Sequence, residues 1–199
     1  MKKNPELTAQ TRQNLLDAFW ALYETKPVNK ITVNDVTNRA GYCRSTFYEY
    51  FHDIPEVLET WEDIIIGQCV GDISLLFPTT TMEQIHESVE NIHRVHGHQF
   101  EVLLVKNKNM DFYLKMKKTI VDAVYGFAKC REEDVYARYV LEFAVAGYLN
   151  SFMYWYESGQ KTPLDETGTV IFTLLRHGVL PEGKRFMKSD PMERLIFAR

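Results

Sequence analysis

Cysteine is scarce in this chain. Its 199 residues hold three, Cys43, Cys69 and Cys130, far apart and forming no CxxC pair. Neither a disulfide framework nor a zinc ribbon is suggested. Long apolar runs are missing as well. No stretch approaches the roughly 20 apolar residues of a membrane span, and the longest apolar run near the start is too short and interrupted for a signal peptide. A cytoplasmic protein that does not enter a membrane is the expectation. No nucleophile elbow, phosphate loop or pair of catalytic carboxylates occurs, so the chain does not read as an enzyme and no cofactor is expected. Excess positive charge is also absent. The net charge of −4 argues against a generally basic coat protein for nucleic acid. Its distribution is more telling: residues 1–54 carry seven Lys/Arg against six Asp/Glu, the remainder 16 against 21. The asymmetry is weak, but it has the sign expected of an N-terminal end that faces DNA.

What is present is helical periodicity, with almost no strand alternation. Leu15, Leu16, Phe19, Leu22 and Tyr23 line one face of a first helix, about 8–25, which Pro27 and Asn29 break. Thr32-x-x-Asp35 reads as a capping box that starts a second helix, and Gly41 ends it with a left-handed turn. A third helix spans about Arg44 to Phe51. Asp53-x-x-Glu56 with Pro55 in the first turn opens a fourth, running toward Phe77 and ended by Pro78. Further helices are expected at 81–96, 98–108, 111–130, 132–158 and 165–180, divided at Gly97, 107–109, Cys130–Arg131 and Gly159–Pro163. A short helix at 191–198 can follow Pro181. The fold class is all-α, about nine helices, divided into residues 1–53 and 54–199.

Two helices joined by a tight glycine turn form a helix-turn-helix, whose second helix lies in the DNA major groove. The stretch "GYCRSTFYEYFHD" (41–53) fits that role. Phe47 and Phe51, four apart, share a face that packs inward, against first-helix residues such as Phe19 and Leu22. Arg44, Ser45, Tyr48 and Glu49 point elsewhere. Arg44 can pair with guanine O6/N7, and Glu49 can accept from cytosine N4 or repel phosphate. Ser45, Thr46, Tyr48 and Tyr50 can donate to phosphate oxygens. The plainer reading, a helical hairpin of a bundle without a DNA role, does not account for that polar side.

"ITVNDVTNRAGYCRSTFYEYFHDIPEVL" (31–58) resembles the DNA-binding signature of TetR-type transcriptional repressors. The resemblance rests on the Ile-Thr-Val start, the Ala40-Gly41 turn, Ser45-Thr46-Phe47-Tyr48, the aromatic-x-aromatic-Phe end and Glu56-x-Leu58. "LEFAVAGYLNSFMYWYESGQKTPLDE" (141–166) resembles the penultimate helix of one branch of that family. The resemblance implies a homodimer that binds a near-palindromic double-stranded operator through two reading heads. It also implies a helical ligand-binding and dimerisation domain at 54–199. The family's contact positions fall on Thr32, Val33, Asn34, Arg44, Ser45, Thr46, Tyr48, Glu49 and Tyr50. Two positions depart from the pattern. Cys43 stands where a capping Ser is usual, and Ile54 where a phosphate-contacting Lys is usual; the first loses a cap, the second one ionic contact per subunit.

The C-terminal body is rich in rings. They read either as the walls of a ligand cavity or as core and dimer seam. Trp61, Phe100, Phe112, Tyr113, Phe127 and Phe143 are the candidates for a pocket. Ala144, Ala146, Gly147 and Ser151 would let another helix approach in a four-helix dimer interface built from 132–158 and 165–180. His86, Glu90 and His93 share a helical face, and His93, His96 and His98 crowd around Gly97, so a metal site or metal-dependent enzyme is conceivable. A solvated, partly packed histidine-rich helix end is preferred, and no metal site is expected. Cys43 can be a redox switch, although a small residue tolerated near a cap is the plainer reading. The leading function is a ligand-responsive DNA-binding repressor. The alternative is a TetR-like protein without ligand that works through a protein partner; a filled or absent cavity would favour it.

Overall fold

The computed structural model describes residues 5–74, 82–127 and 135–179. These residues form eight α-helices and no strand: α1 (Pro5–Tyr23), α2 (Val33–Ala40), α3 (Arg44–Tyr48), α4 (Ile54–Ser74), α5 (Met82–Phe100), α6 (Met110–Phe127), α7 (Val135–Glu157) and α8 (Leu164–Leu174). The expected helix ends at Pro78 and Cys130–Arg131, and the helix at 191–198, lie outside the described residues. No helix among the described residues is long and apolar enough to cross a membrane.

The chain packs as two compact units, Met1–Ile65 and Ile66–Arg199. The division falls inside α4, twelve residues beyond the expected boundary at 53/54. The first half of α4 belongs to the N-terminal unit because it packs there. Val57 is fully buried, and the Trp61 indole N–H donates to the Leu16 carbonyl at 2.9 Å. Trp61 also lies 5.0 Å from Trp20, ring to ring.

In the N-terminal unit, Leu15, Leu16, Phe19, Val36 and Phe47 are fully buried. Truncating a ring such as Phe47 to alanine costs about 3–5 kcal/mol in a core of this kind. Helix α2 starts as its sequence dictates: the Asp35 N–H donates to the Thr32 hydroxyl at 3.2 Å, and the Thr32 N–H donates to the Asp35 carboxylate at 2.9 Å. It ends on Gly41, whose φ of 76° and ψ of 28° place it in the left-handed region. A side chain there would be strained, and glycine is not. The N–H groups of Gly41 and Tyr42 both return to the Thr37 carbonyl. Tyr42 is pinned from the side as well, accepting from Asn14 on α1 at 2.9 Å. Helix α4 opens as expected, with the Glu56 N–H donating to Asp53 at 2.9 Å.

In the C-terminal unit, the expected break at Gly97 does not occur. Helix α5 runs through Gly97 to Phe100 and continues as wider π-helical turns over Glu101–Lys106. The glycine serves a close approach instead: a Cβ added to it would stand 3.1 Å from the Tyr156 hydroxyl oxygen of α7. The breaks at 107–109 and 159–163 fall where expected. The Phe112 N–H donates to Asn109 Oδ1 at 2.9 Å, and Gly159 turns left-handed at φ 77°.

The Asp35 carboxyl sits well below its ordinary value, at about 2. The Lys26 ammonium, 2.9 Å away, contributes most, followed by the Thr32 N–H and hydroxyl. Because the folded value lies below the unfolded one, the carboxylate's contribution to stability is complete above about pH 4 and is lost as pH falls through about 2. Asp35→Asn is therefore expected to melt below the parent at pH 7, with the gap closing between pH 4 and pH 2. Thermal melts followed by far-UV circular dichroism across that range check it, and a gap independent of pH would contradict the assignment.

Candidate nucleic-acid interface and ligand cavity

The turn at Gly41 decides what α3 can show. Phe47 and Phe51 are buried, their rings 5.7 Å apart, and the Arg12 guanidinium lies over the Phe51 ring at 5.2 Å. Of the two first-helix partners expected for them, Phe19 is fully buried and Leu22 only half-buried. With that side inward, Arg44, Ser45, Tyr48 and Glu49 are exposed, and Thr46 and Tyr50 half-buried. At the start of α2, Thr32 and Asn34 are exposed and Val33 is half-buried. Helix α3 ends at Tyr48, three residues short of the expected Phe51, and the nine expected contact positions all retain exposed surface on α2, α3 and the residues that flank them. The Arg44 guanidinium donates to the Tyr48 hydroxyl at 3.3 Å, one turn along α3, which holds the two long side chains together on the outer face.

Cys43 precedes α3 with extended backbone and makes no side-chain cap hydrogen bond, as expected for cysteine at that position. Its sulfur instead lies 3.0 Å from the Ser45 hydroxyl and 3.2 Å from the Thr46 hydroxyl. These contacts, Ser45 first, hold the thiol's pKa down at about 7.

The C-terminal unit contains a cavity of about 180 Å³. Its walls come from the end of α4 (Cys69) and from α5 through α8, and the lining is aliphatic, aromatic and sulfur-bearing. No Lys, Arg, Asp or Glu lines it. Of the six rings expected at a pocket, Phe100 is on the wall. The other five are elsewhere, for separate reasons. Trp61 packs in the N-terminal unit, as described above. Phe112 is fully buried in core and does not line the cavity. Tyr113 and Phe127 are half-buried away from it, and Phe143 is 68% exposed on the outer face of α7.

Sequence reasoning passed over Tyr148, Phe152 and Tyr156, which face the cavity from one side of α7. Their spacing of four and four was the available signal. They enclose His93: its ring stacks on Phe152 at 3.8 Å between centroids. The Tyr156 hydroxyl is 2.9 Å from Nδ1, and the Tyr148 hydroxyl bonds to Nε2. Burial drives the His93 pKa down to about 3 and raises both tyrosines, so all three are uncharged at neutral pH.

The histidines do not gather around one point. His93 and His96 are buried, while His98 is exposed. His86 pairs with Glu90 at 3.0 Å and packs its ring 4.5 Å from Phe172. Among the described residues no group of three or more His, Cys, Asp or Glu side chains is placed to hold a metal ion.

The helix order, the glycine turn of the N-terminal unit and the all-helical C-terminal unit match the fold of TetR-family transcriptional regulators. Three solved structures show it. A TetR regulator from Streptococcus agalactiae 2603V superposes with a TM-score of 0.65 at 18% identity, over 85% of this chain and 96% of its own. The fatty acid degradation regulator FadR from Bacillus halodurans gives 0.64 at 17% identity, over 90% and 98%. A tetR-family regulator from Streptomyces coelicolor gives 0.61 at 14% identity, over 89% and 83%. All three are named as regulators, two of them as transcriptional regulators. No protein-family model matches the chain, and no curated protein matches its sequence.

The exposed, hydrogen-bonded Cys43 thiol is expected to alkylate well ahead of the buried Cys69, with a rate that rises as pH passes through about 7. Iodoacetamide labelling followed by peptide mapping checks this. Equal labelling at both positions would show that Cys43 is not held as described.

Proposed function

We propose that this chain is a DNA-binding transcriptional regulator of the TetR type, a cytoplasmic homodimer acting as a repressor that a small apolar or aromatic ligand releases from its operator. One observation carries the DNA-binding half: α3 and the turn that follows it bury Phe47 and Phe51 and turn Arg44, Ser45, Tyr48 and Glu49 outward. A helix that served only a bundle would not need that outer face. In this reading Arg44 addresses guanine, Glu49 discriminates against wrong bases, and Ser45, Thr46, Tyr48 and Tyr50 fix register on phosphate. Thr32, Val33 and Asn34 approach the backbone at the start of α2, where free N–H groups favour anions.

The cavity supports the ligand half and weighs against the alternative of a ligand-free protein that works through a partner. Helix α4 is the covalent link between reading head and cavity, since Val57 belongs to the core of one unit and Cys69 to the cavity wall of the other. Ligand binding then selects a dimer whose reading heads no longer match major grooves spaced about 34 Å apart.

The dimer rests on an exposed apolar stripe. Tyr139, Phe143 and Tyr154 are 71%, 68% and 72% exposed along one side of α7, and Val170 and Leu174 are 60% and 65% exposed on α8. Gly147 lies in the same row and leaves room for a crossing helix. Rings of this size left in water are the mark of an association surface, and a second copy of the same pair of helices would complete a four-helix seam. Of the small residues expected to admit that helix, Gly147 and Ser151 are exposed, Ala146 is half-buried and Ala144 is buried within its own unit.

Among the nine contact positions Arg44 is the one cation. Each ionic phosphate contact adds about 0.9 to the slope of log K against log salt, so the operator complex is expected to show a shallower slope than that of a basic homeodomain. Arg44→Ala should weaken binding to operator fragments, selected from genomic DNA, by about 1–3 kcal/mol, while the fold and dimer persist. Fluorescence anisotropy at several salt concentrations, with sedimentation of the variant alongside, reads all three quantities. Unfolding of Arg44→Ala, or unchanged affinity, would sink the face assignment.

Phe143→Glu should convert the dimer to a folded monomer in analytical ultracentrifugation, because two carboxylates would meet in the apolar seam. A variant that remains dimeric would place the interface elsewhere.

A further inference from the structure

The cavity surface is almost wholly apolar, one polar cluster is built into its wall, and among the described residues that cluster's hydrogen count does not close. Neutral His93 has one N–H and one ring lone pair. It meets two tyrosine hydroxyls, one at each ring nitrogen. One hydroxyl must therefore donate to the ring, and the other must accept from it. The accepting hydroxyl keeps its own proton, which the ring does not use. This holds for either tautomer, so a single O–H donor is left over beside the cavity whichever way the ring is protonated.

The rest of the wall sets what can use that donor. No cationic side chain lines the cavity to balance an anion. Protonating His93 would place a charge in a site whose burial already holds its pKa near 3. A carboxylate would thus be buried without a partner, which is costly. A pure hydrocarbon would fit but would leave the spare donor unmet. The volume of about 180 Å³ is close to the ~150 Å³ of an apolar protein cavity known to hold benzene.

We propose that the cavity takes an uncharged ligand little larger than one aromatic ring and bearing a single acceptor oxygen, such as a ketone, aldehyde or ester, and that the spare hydroxyl of the Tyr148–His93–Tyr156 cluster reads that oxygen. The proposal deepens the ligand-responsive reading above and rests on it. The stacked Phe152 and the two tyrosines hold the histidine ring between them. Gly97 belongs to the same device, since it leaves the Tyr156 hydroxyl its place.

Three probes of matched shape test it: acetophenone, benzoate and isopropylbenzene. Each has a benzene ring with a three-atom branched substituent. They differ in carrying one acceptor oxygen, a full negative charge or neither. Binding is measured calorimetrically at pH 8 on the full-length protein without DNA. Acetophenone is expected to bind at least tenfold more tightly than benzoate. One of the two variants Tyr148→Phe and Tyr156→Phe, the one that removes the hydroxyl facing the ligand, should weaken acetophenone about tenfold and leave isopropylbenzene within twofold. The isopropylbenzene measurement also certifies that each variant keeps its cavity.

Benzoate binding as tightly as acetophenone would overturn the proposal while leaving a ligand-responsive regulator intact. So would two Tyr→Phe variants that both bind acetophenone like the parent, or that lose both neutral probes equally. Failure of all three probes to bind the parent would remove the proposal and the ligand half of the proposed function together. The DNA-binding half would still stand or fall on Arg44→Ala.

Discussion

The left-handed turn at Gly41 is the constraint on which the N-terminal unit depends. Helix α2 cannot continue past it, and the N–H groups of Gly41 and Tyr42 both close on the same Thr37 carbonyl, so the chain leaves in one direction only. The Tyr42 hydroxyl is tied to α1 through Asn14, and the first residues after the turn are committed to a new helix. That helix is too short to be stable alone. It persists because Phe47 within it and Phe51 just past its end are buried, and their burial fixes its rotation about its own axis. The outward set Arg44, Ser45, Tyr48 and Glu49 follows from that rotation with no further choice. The outer face here is a by-product of where two phenylalanines had to go.

The C-terminal unit answers a different physical problem. Packed helices normally leave few voids larger than a water molecule, yet here α5 to α8 surround about 180 Å³ of apolar space. Polar groups inside such a space are costly unless paired, and His93, Tyr148 and Tyr156 meet the requirement by pairing with one another. Burial then keeps all three neutral, by lowering the histidine and raising the tyrosines. The outside of the same helix bears the opposite arrangement. Tyr139, Phe143 and Tyr154 face away from the unit, where no part of the described chain covers them. One helix therefore carries a ring-lined cavity wall on one side and an uncovered aromatic stripe on the other, and the two are told apart only by rotation around its axis.

Much of this was legible in the amino-acid order, and the reason is locality. The capping box at Thr32 and Asp35, the left-handed glycine at 41, the start of α4 at Asp53 and Glu56 and the inward pair Phe47 and Phe51 are each settled by neighbours within a turn or two. The chemistry they use is backbone capping and one-sided burial, and it does not depend on distant partners. Hence the all-helical class, the glycine-turn motif and the exposure of its outer residues could be stated before any coordinates.

Distant packing decided the rest. Gly97 looks like a helix end in the linear pattern, and only the Tyr156 hydroxyl against it shows that the glycine serves a close approach inside a continuous helix. The extent of the first unit, through Val57 and Trp61, depends on contacts with α1 some 45 residues away. Pocket rings could not be chosen from a ring-rich stretch, because Phe112, Phe143 and Phe100 are the same side chain in core, in the open and on the cavity wall. Local order determines which residues form a helix and which of them share a face. Which face meets a void, a core or water is set by the other helices, since burial is a property of all the neighbours at once.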